Sequence, residues 1–152
     1  MMTDAATQPT FEASPRKIKI YAWAVAIVLI VGHGAVGLSL TMGGDTGPLF
    51  RTSDKIGMAL IGVVLAGGAL LFTRPRLRIG PDGVAVRNLL NENTYGWDVV
   101  QGFSFPKGTA FARLELPQDE YVSVWAIQAR DGELAVQAIA RARELSDIYR
   151  RG

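Results

Sequence analysis

Two long apolar stretches without a charged residue constrain this chain more than any other feature. They run over Ile20–Leu40 and Ile56–Phe72, and neither contains Asp, Glu, Lys or Arg. A helix rises about 1.5 Å per residue, and the hydrocarbon core of a bilayer is about 30 Å thick. The first stretch is therefore long enough to span a membrane, and the second lies at the short end of the spanning range. Together they predict a two-helix transmembrane hairpin.

A cleaved signal peptide is the alternative interpretation of the first stretch. The polar leader Met1–Lys19 is long for a signal peptide, and no clear Ala-x-Ala site follows the apolar run. The second apolar stretch also argues for a protein that stays in the membrane, so we favour a retained span.

The basic residues predict the orientation of the hairpin. Three of them precede the first span and three follow the second: Arg16, Lys17, Lys19, Arg74, Arg76 and Arg78. In the connecting segment, Asp45 and Asp54 offset Arg51 and Lys55. Because Lys and Arg favour the cytoplasmic side, we expect a multi-pass protein of the plasma (inner) membrane with both termini in the cytoplasm. The predicted segments are a disordered cytoplasmic leader (1–19), a first span (20–40), an external loop (41–55), a second span (56–72) and a cytoplasmic domain (73–152).

Small residues recur at four-residue spacing in both spans, as Ala22/Ala26, Ala35/Ser39 and Gly62/Ala66. Such spacing lets helix backbones approach closely in lipid. We favour packing within the hairpin, and oligomerisation is the alternative. An ionisable residue inside a span is a functional candidate by default, but no charged residue in either span completes a proton relay with His33. We therefore expect His33 to have a structural or interface role.

The composition argues against an enzyme. The chain has no cysteine, which excludes a thiolate nucleophile, a disulfide and a cysteine metal site. The segment after the spans has no histidine, and its serines lie in no nucleophile motif. No phosphate-binding glycine loop or metal cluster is present in the sequence. We expect no catalytic residue, no metal, no cofactor and no nucleic-acid partner.

The segment after the spans begins with a predicted β-hairpin. Apolar and basic residues alternate over Arg76–Gly80, and Pro81-Asp82 provides a two-residue turn. This turn places Ile79 opposite Val84 and Leu77 opposite Val86. Arg76 then faces Arg87, and because like charges opposed across a sheet are unfavourable, we expect an anionic group or solvent to offset them.

Further strands and one helix complete the predicted domain. After a turn at Asn91-Glu92-Asn93, strands are expected around Val99–Phe105, Thr109–Leu116 and Tyr121–Ile127. In the second of these, Ala112, Leu114 and Leu116 are predicted to point inward. Asp131 is the expected N-cap of a helix. Its apolar stripe comprises Ala135, Ala138, Ile139, Ala142, Leu145 and Tyr149.

Strands in meander order closed by one C-terminal helix are the outline of a pleckstrin-homology (PH)-like barrel. The segments that carry this resemblance are Trp97–Val100, Phe105–Gly108, Ala112–Pro117, Asp119–Tyr121 and Ile127–Gly132. They resemble the actinobacterial family of bacterial PH domain membrane proteins, which includes the mycobacterial "low molecular weight protein antigen 6" type. The resemblance implies an α+β fold: a two-helix transmembrane hairpin, then a small PH-like antiparallel β-barrel or sheet capped by a C-terminal helix. The first hairpin loop is short and acidic, unlike the longer basic loop of phosphoinositide-binding PH domains.

Two functions remain open from the sequence. The first is a membrane-anchored, non-catalytic interaction module for a membrane or cytoplasmic protein, with Phe111, Arg113 and Trp125 as candidate contact residues. The second is sensing of an anionic lipid or membrane surface. Its candidate residues are Arg74, Arg76, Arg78 and Arg87. Beyond the bilayer and this unidentified partner, a homo-oligomer is the remaining partner hypothesis.

Overall fold

The chain folds into two compact units. The computed structural model describes residue 8 and residues 10–40 and 51–152. The described residues up to Lys17, together with Arg74–Gly152, form one unit, and Ile18–Thr73 form the other. The first unit is a domain of antiparallel sheets and one helix, and the second is helical.

The helical unit contains two long apolar helices. Helix α1 spans Lys17–Ser39, and helix α2 spans Thr52–Leu70 and continues into a 3-10 turn at Leu71–Thr73. Both are long and apolar enough to cross a membrane, by length and composition. Helix α2 begins before the predicted span because the Arg51 backbone N–H donates to Asp54 Oδ2 at 2.8 Å and the first turn is capped. Of the predicted external loop 41–55, residues 41–50 lie outside the described residues.

Close helix packing in this unit depends on small residues. The buried ones are Ala22, Ala26 and Gly37 in α1 and Gly62 and Ala66 in α2. A Cβ atom on Gly62 would lie 2.7 Å from the Cβ of His33, so only glycine fits there. Gly62 of α2 thus lies against His33 of α1. Ala22/Ala26 and Gly62/Ala66 are buried, whereas Ala35 and Ser39 are exposed.

His33 makes two contacts within the helical unit. Its Nδ1 donates to the Leu29 carbonyl oxygen at 2.8 Å, and its Cβ faces Gly62. A carbonyl oxygen only accepts, so Nδ1 is the donor in this hydrogen bond. These contacts agree with the structural role expected from the sequence.

The first sheet of the domain has four strands in the order β1-β2-β3-β4. Their bounds are Phe11–Ala13, Arg76–Gly80, Gly83–Arg87 and Glu92–Tyr95. The predicted hairpin register is confirmed, with Ile79 opposite Val84 and Arg76 opposite Arg87. Gly83 closes the turn with φ +133, and a Cβ there would lie 2.2 Å from the Tyr95 carbonyl oxygen. Glycine is therefore required at this position by both its backbone angle and its neighbour.

Two strands of this sheet correct the sequence predictions. Phe11–Ala13 was predicted to be part of a disordered leader, yet it forms β1 and pairs antiparallel with Leu77–Ile79. Three residues are too short to show a strand pattern, and their partner is distant in sequence. The turn predicted at Asn91-Glu92-Asn93 is also wrong, because Glu92 and Asn93 belong to β4. This edge strand is mostly exposed, so it lacks the apolar alternation that predicts a strand.

The second sheet has three strands in the order β5-β6-β7. They span Gly102–Ser104, Phe111–Glu115 and Tyr121–Gln128. Ala112 and Leu114 are fully buried and Leu116 packs against the core, as the alternation predicts. Strands of each sheet follow chain order, so the meander prediction is confirmed. The described strands form two separate sheets, and no closure into a barrel is found among them.

Helix α3, Glu133–Arg151, covers the core shared by the two sheets. Its predicted stripe is confirmed, since four of the six residues are buried and Ala138 and Tyr149 pack against the core. The N-cap is Gly132 rather than Asp131. The Asp131 carboxylate instead accepts the backbone N–H of Lys17 at 3.1 Å, a long-range contact that a local capping pattern cannot reveal.

The core joins both sheets and the helix into one domain. Its fully buried large side chains include Leu77, Ile79, Val84, Leu114, Val124, Ile127 and Leu145. Each such side chain contributes about 1.5–3 kcal/mol through removal from water. Trp97 packs against this cluster, stacks on Tyr149 with ring centroids 5.2 Å apart and donates from Nε1 to the Gly80 carbonyl oxygen at 2.9 Å.

Candidate functional site

The outer side of β6 and β7 gathers four side chains suited to protein contacts. They are Phe111 and Arg113 from β6 and Tyr121 and Trp125 from β7, and we call this set the aromatic face. Inward residues Ala112, Leu114 and Val124 are completely buried, so the residues between them must point outward. All three interface candidates predicted from the sequence therefore lie together, with Tyr121 in addition.

Two ring contacts organise the aromatic face. The rings of Phe111 and Trp125 stack with centroids 5.1 Å apart and an angle of 8° between their planes. The Arg113 guanidinium carbon lies 4.0 Å from the centroid of the Tyr121 ring. Aromatic pairs contribute about 0.5–1.5 kcal/mol beyond their burial, and exposed cation–π contacts about 0.5–1 kcal/mol. These contacts favour the observed positions of the four side chains.

A register shift in the sheet brings the stacked rings together. Phe111 pairs with Gln128, whereas the next residue, Ala112, pairs with Val124. This irregularity between Phe111 and Ala112 brings Trp125 beside the Phe111 ring. A β-bulge re-aims side chains in this way, and no sequence pattern in the strand signals it.

Two amide side chains fix the backbone of β7 at Trp125. Asn88 donates from Nδ2 to the Ser123 carbonyl oxygen at 2.9 Å, and its Oδ1 accepts the Trp125 N–H at 3.2 Å. On the other side, Gln128 Nε2 donates to the Trp125 carbonyl oxygen at 2.9 Å. Asn88 thus makes the two hydrogen bonds to β7 that the backbone of a neighbouring strand would make. Sequence reasoning missed both residues. Asn88 gives no indication of partners 35 and 37 residues away, and Gln128 is a polar residue at a strand end that shows no pattern for a hydrogen bond to Trp125.

The basic candidates lie elsewhere, around the first sheet. Arg76 pairs with Glu12 at 3.3 Å, and Arg78 forms an ion pair with Glu92. Arg87 donates from Nε to the Arg74 carbonyl oxygen at 3.2 Å. The structure therefore supplies the anionic group expected to offset the facing arginines, and it comes from β1.

This side of the first sheet carries both arginine and glutamate side chains. The Arg76 and Arg78 side chains keep 49% and 56% of their exposure, and their glutamate partners are also solvent-accessible. Exposed ion pairs contribute only about 0–1 kcal/mol, so each arginine can change partners at small cost. Among the described residues, no group of three or more histidine and acidic side chains could hold a metal ion.

Comparison with known proteins places this fold in a family. A bacterial PH domain family model matches residues 74–145, which cover β2 to most of α3. An uncharacterized protein of Mycobacterium bovis is 46% identical over 136 residues, covering 90% of this chain and 88% of the relative. An uncharacterized protein of Mycobacterium tuberculosis strain H37Rv matches with the same identity and coverage. These matches confirm the resemblance seen in the sequence, and the chain belongs to an actinobacterial family of bacterial PH domain proteins.

Proposed function

We propose that this protein is a membrane-anchored, non-catalytic interaction module whose PH domain binds a protein partner through the aromatic face. The observation that carries the proposal is the assembly of Phe111, Arg113, Tyr121 and Trp125 on one outer sheet surface. The backbone beneath Trp125 is held on both sides by Asn88 and Gln128. The domain family and its uncharacterized relatives assign no reaction to this fold.

The chemistry of the aromatic face favours a protein partner. Trp, Tyr and Arg are the residues most enriched where binding energy concentrates in protein interfaces. Side chains that are already held in place lose little conformational entropy when a partner binds. A suitable partner surface would offer an apolar group to the Phe111–Trp125 stack and an acidic group to Arg113.

Anchoring in the plasma membrane is the second part of the proposal. Its support is the pair of apolar helices, each long enough to cross a bilayer. The basic residues next to them favour both termini in the cytoplasm. In this arrangement the aromatic face would select a cytoplasmic protein or the cytoplasmic part of a membrane protein.

Replacement of Trp125 by alanine tests the proposal. The tagged full-length chain is purified from its native membrane in mild detergent, and co-purifying proteins are quantified by mass spectrometry. A partner should be recovered stoichiometrically with the unmodified chain. We expect the recovered amount of that partner to be at least tenfold lower with Trp125→Ala. Loss of a central aromatic contact residue costs about 2 kcal/mol or more in such interfaces.

The matched control is Val136→Ala, which removes an exposed apolar side chain from α3. This variant should keep the partner at the unmodified level. Circular dichroism and the thermal midpoint of both variants report whether the domain remains folded. A folded Trp125→Ala chain that keeps its partner would contradict the role of the aromatic face.

Sensing of an anionic membrane surface is the second candidate function. The observation that favours it is the exposure of Arg76 and Arg78, whose ion pairs are weak enough to exchange for lipid phosphates. We rank it second because Glu12 and Glu92 reduce the positive charge that an anionic leaflet would attract. Each basic residue near such a surface contributes about 1 kcal/mol.

Lipid analysis separates the two functions. The full-length chain and an Arg78→Gln/Arg87→Gln variant are purified in the same detergent, and bound anionic lipid is measured for each. Lipid sensing predicts that the variant loses most of the retained anionic lipid. Equal retention by both chains would remove this candidate and leave the aromatic face as the functional surface.

A further inference from the structure

Strand β1 lies outside the region that the family model matches. The matched region begins at residue 74, whereas β1 comes from Phe11–Ala13, before both apolar helices. It pairs with β2 in an antiparallel register in which Glu12 lies opposite Arg78. The edge of β2 therefore already binds a short extended segment that precedes the domain in the chain.

The contacts of this segment define what the β2 edge recognises. Phe11 packs against the core, and Ala13 is 9% exposed. Between them, Glu12 forms its ion pair with Arg76 at 3.3 Å. Pro15 is fully buried after the strand. The segment bound at this edge has an aromatic, an acidic and a small residue in succession, with a buried proline two positions further on.

The position of β1 leaves it accessible. It is a three-residue edge strand, and an open groove of about 500 Å³ runs between it and α3. The groove is lined by residues of both elements, including Glu12, Leu134 and Arg141. Main-chain pairing at a sheet edge accepts any extended segment whose side chains fit the same positions.

We propose that the β2 edge is an exchangeable binding site for an extended peptide segment. Phe11–Ala13 occupies it within one chain, and the same segment of a second copy is its occupant in trans. The second copy carries every contact residue of the resident strand, so exchange replaces each contact by an identical one. The remaining free-energy cost of exchange depends on the effective concentration of the neighbouring copy. Confinement of both copies to one membrane would raise that concentration. This last step rests on the proposed membrane location.

Cysteine trapping tests exchange between copies. The chain has no cysteine, so introduced thiols are the only ones present. Chains carrying Glu12→Cys and Arg78→Cys, each with a different tag, are co-expressed and oxidised mildly in the membrane. Because these positions face each other in the register, we expect a mixed disulfide dimer carrying both tags.

The control pairs Glu12→Cys with Ala85→Cys. Ala85 lies opposite Arg78 on the far side of β2, two strand spacings from Glu12, or about 9–10 Å. That separation is too long for a disulfide. A mixed dimer with Arg78→Cys at least tenfold above this control supports exchange. Equal yields in the two pairs, or no mixed dimer with Arg78→Cys, would overturn the second copy as the occupant in trans.

A peptide measurement tests the site itself. A labelled peptide of residues 10–17 is titrated by fluorescence anisotropy against the detergent-solubilised chain and a variant lacking residues 1–13. The same titration is made on a full-length variant with Phe11→Glu and Ala13→Glu, which avoids truncation. We expect either variant to bind the peptide at least tenfold more tightly than the intact chain, whose own segment competes at high effective concentration. Equally tight peptide binding by the intact chain would overturn the site. Absence of peptide binding by both variants while they remain folded would overturn it as well.

Charge reversal identifies the contact that gives specificity. In the variant lacking residues 1–13, Arg76→Glu should reverse the preference between the peptide and its Glu12→Lys form. The expected change is about two- to fivefold each way, the range that an exposed ion pair supplies. An unchanged preference would place the peptide away from Arg76 and overturn the proposed site. Trp125→Ala should leave peptide binding unaffected, so this proposal and the proposed function fail independently.

Discussion

Asn88 and Gln128 show how single amide side chains position a surface residue. Trp125 lies on β7, whose outer edge faces no further strand of its own sheet. Asn88 satisfies its N–H and Gln128 its carbonyl oxygen. Gln128 is itself 4% exposed, so its hydrogen bond forms away from water, where an unmade bond is costly. The sequence identified Trp125 as a contact candidate but not the hydrogen bonds that position it, since Asn88 lies 37 residues away.

Asn88→Ala should destabilise the domain by about 1–3 kcal/mol. The change removes two hydrogen bonds and leaves the Trp125 N–H and the Ser123 carbonyl oxygen without their partner. Thermal unfolding of the full-length chain in detergent, followed by circular dichroism, measures the effect. Asn91→Ala, at an exposed position three residues later, serves as the control and should unfold at the unmodified temperature. Equal midpoints for the two variants would contradict the role of Asn88.

At the scale of elements, the sequence predicted those helices and strands whose pattern lies within a few neighbouring residues. The β2–β3 register follows from alternation and the Pro81-Asp82 turn, which lie within a few residues of each other. The α3 stripe follows from helical spacing alone. Strand β1 has no such local signal, because Glu12 and its partner Arg76 are 64 residues apart. Strand β4 is stabilised by pairing with β3 and by the Glu92–Arg78 ion pair, neither of which requires apolar residues.

Gly62→Ala should weaken the packing of the two apolar helices. The added methyl group would overlap His33, and forcing extra volume into a packed contact costs about 1–3 kcal/mol. Thermal unfolding of helical signal in detergent reports the loss. Gly67→Ala is the matched control, because a Cβ at Gly67 meets no atom within 4 Å. Similar stability of both variants would show that α1 and α2 do not depend on this contact.

At the scale of the whole molecule, the domain is assembled from both sides of the apolar hairpin. Residues before α1 and residues after α2 belong to one compact unit. The proposed pair of membrane crossings would return the chain to the side that it left, as such a unit requires. In that proposed topology both termini would lie on one side, which is also what the flanking positive charges predict.

Cysteine labelling measures the proposed topology. Gly44→Cys and Gly152→Cys are introduced singly into the cysteine-free chain. In intact cells, a membrane-impermeant maleimide should label Gly44→Cys, in the predicted external loop. Gly152→Cys should react only after the cells are permeabilised. Labelling of Gly152→Cys in intact cells would contradict a cytoplasmic domain.

The pairing of β1 with β2 also has a consequence for the order of synthesis. Phe11–Ala13 leaves the ribosome before either helix, but Leu77–Ile79 is made only after both. The first sheet therefore cannot be completed until the hairpin between them has been synthesised and its two ends have come together. While the two ends stay apart, β2 has an unpaired strand edge, which is a template for pairing with another chain. Completion of this sheet thus follows synthesis of both helices and covers the β2 edge.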